Sequence, residues 1–295
     1  MRAAYGQRVN SRPEELREWA TRMKVDACIW TKNSAAFLPI TLKAFDRAVP
    51  RHVLGQKIMV DDHSEDRTVE IGAGFGWNIY TNPGNGIASA ANEALNHVVT
   101  PFFISIEHDV ILPKDWFTRL FLRINGQENV AVCQGIRIPT DKTLLAIFSG
   151  KDAWKGYSID NNIYRTNVIR MLGGFPRKCG TCTDGWLKKA VEGARYEWVI
   201  DSNVVSRHIY TGIRHYWKRE EKLTVCTCGF WQRGRRYSFS YLLGLAATSP
   251  ARGLQIAIRH NQPKATIVYP YHRLMLLRAW LTSTMWFTRD VFSSA

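Results

Sequence analysis

The chain has 295 residues, 45% hydrophobic and 12% aromatic, with 40 Lys and Arg against 25 Asp and Glu for a formal net charge of +15. That much apolar sequence can build a large core and excludes a disordered chain, and no window reaches the ~18 uninterrupted apolar residues that a membrane-crossing helix needs. The positive excess, much of it after residue 205, favours phosphate-rich partners: nucleic acid, anionic membrane, or phosphorylated lipids and sugars.

Residues 1–24 are polar and charged, without the apolar core of a signal peptide, which predicts a cytoplasmic protein whose membrane contact is peripheral. Ser11-Arg12-Pro13-Glu14 has capping-box spacing and predicts a helix over 11–23 ahead of the main fold. Next come a strand over 25–30, a helix over 38–48 with Pro39 harmless in its first turn, a strand over 57–60, a helix over 64–71 and a short strand over 77–80. This βαβαβ alternation predicts a parallel sheet with helices on its faces. After the turn Asn82-Pro83-Gly84-Asn85-Gly86, an Ala-rich helix from Ile87 is small enough to lie close to that sheet. A strand over 101–106, a helix over 113–124 and a strand over 130–135 follow, then an irregular stretch over 137–158. Helices are expected over 167–172, stopped by Gly173-Gly174-Phe175-Pro176, and over 184–192, with strand at 198–200 and 204–205. Helical patterns recur at 237–247 and 270–292. The second, with Leu274, Leu277, Leu281 and Trp286 beside Arg273, Arg278 and Arg289, suits either a membrane interface or packing on its own domain.

Two of these strands end in acid. Ile58-Met59-Val60 runs into Asp61-Asp62, and Phe102-Phe103-Ile104-Ser105-Ile106 runs into Glu107-His108-Asp109. Apolar runs without alternation suit parallel strands covered on both faces, and open α/β sheets bind ligands just past the carboxyl ends of such strands. Oxygen ligands there suit a divalent cation, Mn²⁺ or Mg²⁺, together with the polar parts of a nucleotide. Asp62 can accept hydrogen bonds from a base or ribose, with the backbone near Thr31 closing the other side. Glu107 and Asp109, two apart in extended chain, can share one metal while His108 turns aside.

The order of these signals resembles the inverting GT-A glycosyltransferases of family 2. The resemblance rests on Trp30-Thr31-Lys32-Asn33, on Asp61-Asp62-His63-Ser64-Glu65-Asp66-Arg67-Thr68 against the family's Asp-Asp-x-Ser-x-Asp-x-Thr, and on Gly84-Asn85-Gly86 with its Ala/Asn helix through Asn92. Glu107-His108-Asp109 stands at the family's Asp-x-Asp, and Asn162-Ile163-Tyr164-Arg165, Gly173-Gly174-Phe175 and Thr183-Asp184 follow in order over about residues 25–208. It implies a GT-A fold, a mixed, mostly parallel α/β sheet flanked by helices, with a catalytic domain over 25–215, divided into a nucleotide-sugar half (25–112) and an acceptor half (113–215). An N-terminal helical extension (1–24) and a basic, aromatic, helical C-terminal region (216–295) flank it. By resemblance Asp184 is the general base. Thr31, Asn33, Asp62, Asn85, Gly86, Asn92 and His108 line the nucleotide-sugar site, and Glu107, Asp109 and His208 hold the metal, with His215 a rival to His208. Arg165, Arg235 and Arg236 are candidate contacts to phosphate or acceptor.

The implied reaction is transfer from a UDP- or GDP-sugar to a lipid-linked or glycan acceptor. The basic tail alone also fits a nucleic-acid-binding protein, although carboxylates at strand ends would repel a polyanion, so no nucleic acid is expected. A GT-A-like nucleotidyltransferase shares the metal logic but leaves Asp184 and His208 without a task. The sequence departs from the family twice: Glu107 replaces Asp, and Gln232-Arg233-Gly234-Arg235-Arg236 lacks the Trp of the synthases' Gln-x-x-Arg-Trp. Cys179-Gly180-Thr181-Cys182 and Cys226-Thr227-Cys228 are compatible with a four-thiolate zinc site or two disulfides, with unpaired thiols the simpler reading, while Cys28 and Cys133 read as reduced core residues.

Overall fold

The computed structural model describes residues 23–148, 156–177, 183–209 and 238–292. The expected N-terminal helix (save Met23), the four cysteines at 179, 182, 226 and 228, His215, Arg235 and Arg236 lie outside the described residues. In chain order the elements are β1 (Val25–Thr31), α1 (Leu38–Ala48), β2 (Leu54–Asp61), α2 (Thr68–Gly74), β3 (Asn78–Thr81), α3 (Ile87–His97), β4 (Phe102–Glu107) and β5 (Val110–Ile111). There follow α4 (Trp116–Asn125), β6 (Val130–Pro139), α5 (Lys142–Ile147), β7 (Asn162–Arg165), α6 (Thr166–Met171), α7 (Thr183–Gly193), β8 (Glu197–His208), α8 (Phe239–His260) and α9 (Ala265–Phe292).

The strands form one eight-stranded sheet in the order β3-β2-β1-β4-β7-β6-β8-β5. Strands β1 to β4 run parallel, as the βαβ alternation requires, and β7 is inserted antiparallel between β4 and β6. The alternation of side chains along β1 divides the core in two. Val25, Ala27 and Ile29 pack with Leu38, Leu42 and Phe45 of α1 and Trp116 and Leu120 of α4, whereas Cys28 and Trp30 pack with Ala90, Ala91 and Ala94 of α3 and Leu187 and Val191 of α7. A strand covered on both faces has no polar side to show, which is why β1 is buried along its whole length.

Several elements differ from expectation for identifiable reasons. Helix α2 begins at Thr68, not Ser64, because the side chains before it are tied across to the segment after β1. Ser64 Oγ accepts from Asn33 N at 2.8 Å, and Asp66 accepts from Ala35 N at 3.0 Å. Strand β6 runs on to Pro139 and β8 is continuous, because the two pair in parallel from Val130↔Glu197 to Pro139↔His208 across an irregularity at Gly135/Ile136. β7 was not expected, since four residues carry no readable period. Helix α8 continues through Pro250 and α9 begins five residues before Pro270. The two helices cross closely at Gly253, where a Cβ would sit 2.9 Å from the Ala265 carbonyl oxygen. This pair docks on α5 through Leu144 against Val268 and through Thr143 Oγ1 donating to Gln262 Oε1 at 3.1 Å. It therefore packs on its own domain while leaving Leu254, Ile258, Ile267 and Leu274 exposed. Among the described residues no helix is long and apolar enough to cross a membrane.

The turn after α6 stops as its glycines dictate. Gly173 and Gly174 have φ of +81° and +83°, and a Cβ on Gly174 would lie 2.2 Å from Asn92 Oδ1. Asn92 Oδ1 accepts from Phe175 N, and its Nδ2 donates to the Ala88 and Phe175 carbonyls, locking the turn onto α3. Gly174→Ala should lower stability by about 2 kcal/mol or more, combining left-handed strain with loss of that lock. A denaturant midpoint shifted at unchanged m-value would register it.

Candidate active site

At the carboxyl end of β1 and β2, the two adjacent acids have different environments. Asp61 is used by the fold: its Oδ1 accepts from Thr31 Oγ1 at 3.0 Å and Ser64 Oγ at 2.6 Å, and its Oδ2 from Ser64 N at 2.7 Å. Asp62 turns toward the β3 end, where Oδ1 accepts from Asn82 Nδ2 at 2.7 Å and Oδ2 pairs with Lys32 Nζ at 3.2 Å. Burial pushes the Asp62 carboxyl up, but the Asn82 and Lys32 hydrogen bonds, the Lys32 charge and the Gly86 backbone outweigh it and hold the group ionised below the usual carboxylate range. Gly86, at φ +77°, opens α3, and it and Asn85 are exposed beside this carboxylate. An ionised acceptor on a strand end, flanked by open backbone, can take donors from a nucleoside.

A second group forms where β4 ends. Glu107, Asp109 and His208 each offer one ligand atom, all within 4.8 Å of one another. The fold brings His208 there across 99 residues: β8 pairs β5 through Val110↔His208, β6 through Pro139↔His208, and Ile209 N donates to the Asp109 carbonyl at 2.8 Å. His208 Nε2 lies 3.1 Å from Asp109 Oδ2, while Asp109 Oδ1 is buried with no hydrogen-bond partner. A buried carboxylate oxygen without a partner is costly unless a cation takes it. Two carboxylates and an imidazole are also the donor set for a small divalent metal, so the residues fit one. Burial would raise the Asp109 carboxyl, yet the hydrogen bond and charge of His208, followed by the charges of His108 and Arg137, keep it below its ordinary range. Glu107, the departure from Asp, keeps its place in the cluster, and its Oε2 is ion-paired with Arg137 Nη1.

Beside Glu107 the chain enters β7 through Asp160 and Asn161. Asn161 is fully buried at φ +66°, and its Oδ1 accepts from Trp116 Nε1 at 2.6 Å and Ser206 Oγ at 2.8 Å. Its Nδ2 donates to the Gly135 carbonyl at 2.8 Å. One side chain thus ties α4, β6 and β8 to the start of β7. Asn161→Ala would strand three buried polar groups and should cost about 3 kcal/mol or more, readable as a lowered midpoint of thermal unfolding. Asp184 stands in the first turn of α7, with Gly185 N donating to its Oδ1 at 2.8 Å, and its charge reaches Asp160.

The structure therefore gathers Asp62, Gly86 and Asn85 on one stretch of the sheet's rim and Glu107, His108, Asp109 and His208 on the next, and places Asp184 in the first turn of α7. Other expected residues have structural tasks. Thr31 gives its hydroxyl to Asp61 and its carbonyl to Asp62 N. Asn33 Oδ1 accepts from Glu65 N at 2.8 Å, and Asn92 locks the Gly-Gly-Phe turn. Arg165 pairs with Phe102 at the far end of β4, opposite the carboxylates. Its guanidinium donates to the Ile124, Gln127 and Val130 carbonyls and stacks 4.9 Å from the Phe102 ring, so it braces α4 and is not a phosphate contact. Sequence reasoning missed Lys32, Asn82, Arg137 and Asp160. Lys32 and Asn82 sit inside the motifs and were legible there, whereas Arg137 opens the irregular stretch and Asp160 stands just past it, and both become visible only through β6 and β7.

The mannosyltransferase PcManGT from Pyrobaculum calidifontis, solved with GDP-Man and Mn²⁺, superposes with a TM-score of 0.65 at 16% identity, covering 90% of this chain and 88% of that one. Residues 1–349 of S. aureus TarS, in complex with UDP-GlcNAc, give 0.55 at 14% identity over 91% and 92% of the two chains. Glucosyl-3-phosphoglycerate synthase from Mycobacterium tuberculosis, with Mn²⁺, UDP-Glc and phosphoglyceric acid, gives 0.55 at 13% identity over 77% and 86%. At these identities the likeness shows the GT-A fold. No curated protein sequence matches the chain significantly. The model of glycosyl transferase family 2 matches residues 26–175, half of the chain and all of the rim from β1 to the Gly-Gly-Phe turn, and the chain belongs to that family.

Proposed function

We propose that the protein transfers a sugar, with inversion, from a nucleotide-diphospho-sugar to a lipid-linked or surface-glycan acceptor at the cytoplasmic membrane face. The observation that carries the donor half is the convergence of Glu107, Asp109 and His208 on the rim that also presents the ionised Asp62. Asp62 would accept hydrogen bonds from the base or ribose. Glu107, Asp109 and His208 would hold the cation, with the imidazole favouring Mn²⁺ over Mg²⁺. When bound, that cation would supply Lewis-acid stabilisation of the departing diphosphate. Asp184 would take the proton of the acceptor hydroxyl as its oxygen bonds to the anomeric carbon and the bond from that carbon to the diphosphate oxygen breaks, a single displacement that inverts configuration. The acceptor half is supported by the +15 charge and by the exposed Leu254, Ile258, Ile267 and Leu274 of α8 and α9.

The experiment is a thermal-shift screen of UDP-, GDP- and dTDP-sugars with and without Mn²⁺, since only ligands that bind the native state raise the midpoint. One nucleotide class should stabilise the protein in an Mn²⁺-dependent way. No shift with any donor, alongside salt-sensitive binding to DNA or RNA, would favour a nucleic-acid-binding protein and end this reading.

A further inference from the structure

The carboxyl group of Asp160 has no structural task that the surrounding residues do not already perform. Asp160 is 5% exposed, and its Oδ1 is buried with no hydrogen-bond partner. The bonds that shape this turn belong to its neighbours. Asn161 ties α4, β6 and β8 together, and Asn162 Nδ2 donates to Tyr164 Oη and the Ser158 carbonyl. Ser158 Oγ accepts from the Asp160 backbone N–H at 3.2 Å. A buried carboxyl oxygen left unpaired costs free energy, so a donor brought by a bound molecule would be stabilising there.

Its position says what kind. β7 runs antiparallel to β4 with Ser105↔Asn162, and Asn161 N donates to the Ser105 carbonyl at 2.9 Å, so Asp160 lies where β4 runs on toward Glu107. Burial raises its carboxyl first and Glu107 next, the charge of Arg137 opposes them, and Asp109 and Asp184 add to the rise. Phosphate is therefore a poor partner for Asp160. A metal is no better placed, because Asp160 is outside the group of three whose ligand atoms converge. A neutral hydroxyl can donate to the buried oxygen without adding charge. Asp160 is also the group whose electrostatic neighbours include both the metal ligands and Asp184. The ring of a transferred sugar has to lie in that interval, with its diphosphate on the metal side and its opposite face toward the base.

We propose that Asp160 is a sugar-binding residue that accepts a hydrogen bond from a hydroxyl of the sugar being transferred, an assignment that rests on the glycosyl-transfer reading above. It makes Asp160 a determinant of which donor sugar is accepted, separate from recognition of the nucleotide.

The test compares the native protein with Asp160→Asn and Asp160→Ala by titration calorimetry in Mn²⁺. The probes are UDP and GDP on one side and UDP-Glc, UDP-GlcNAc and GDP-Man on the other. For Asp160→Ala the expected result is nucleoside diphosphate binding within about twofold of native, with binding of the preferred nucleotide-sugar weakened about 10-fold to 100-fold, the loss of one hydrogen bond to a carboxyl, whereas Asp160→Asn, whose amide oxygen still accepts, recovers part of that affinity. Equal weakening of diphosphate and sugar-diphosphate, or of neither, would overturn the assignment. So would a fall in Mn²⁺ affinity alone, which would make Asp160 a metal ligand, or failure of both variants to fold, which would make it structural. A native protein that binds none of the five probes would overturn the glycosyl-transfer reading and this assignment with it, whereas a native protein that binds them and variants that bind equally well would overturn this assignment alone.

Discussion

Asp184→Asn is expected to lower turnover by about 10²-fold to 10⁴-fold, the usual contribution of a positioned general base, while leaving donor affinity within a few-fold of native. The replacement is nearly isosteric and retains the oxygen that accepts from Gly185 N, so the first turn of α7 keeps its local bond. The amide, however, cannot take a proton from the acceptor hydroxyl. Asp184 stands in the first turn of an 11-residue helix, where the helix's positive end favours a negative charge. Release of free sugar and nucleoside diphosphate from the donor, with water as the acceptor, provides the measurement before the natural acceptor is known. Turnover retained in the variant would remove Asp184 from the chemistry.

Asp109→Asn should abolish most metal-dependent stabilisation. The native carboxylate has one oxygen against His208 and the other buried without a partner, and the amide presents an N–H₂ group where an anion is required. Loss of an outer-shell partner already costs 10-fold to 100-fold in metal affinity, and a direct ligand costs more. At a Mn²⁺ concentration of about 100 times the native dissociation constant, the cation should stabilise the native protein by about 2.7 kcal/mol, and a hundredfold loss of affinity would leave about 0.4 kcal/mol. Thermal unfolding with and without Mn²⁺ measures the difference. An unchanged Mn²⁺ effect in the variant would place the cation elsewhere.

Much of this was legible in the sequence, because the relevant signals are local. The apolar run over 25–30 becomes β1, and small residues at 88, 90, 91 and 94 let α3 lie on it. Asp62 and the Glu107/Asp109 pair fall where strand ends deliver them. Glu107 keeps one oxygen within the group of three ligand atoms while pairing with Arg137, a residue no spacing rule links to it. What escaped depends on pairing. β7 is four residues of mixed polarity whose identity as a strand comes from β4 and β6 on either side. Whether Arg165 meets phosphate or braces a helix turns on which end of β4 it pairs with, and the antiparallel register puts it at the wrong end for phosphate. Asp160 stays hidden for the same reason: without β7, nothing sets it beside Glu107. Ser64 and Asp66 carried a helix-start pattern, but their side chains bond to Asn33 and Ala35 across the sheet's edge, so the helix waits until Thr68.

One rim should hold both the nucleotide and the cation. Anomalous diffraction from crystals soaked with Mn²⁺ and UDP or GDP tests it most directly. The predicted result is a manganese peak within coordination distance of Glu107, Asp109 and His208, with diphosphate oxygens completing its shell and the nucleoside against Asp62. A manganese peak bound elsewhere, or a nucleotide seated away from Asp62, would contradict it.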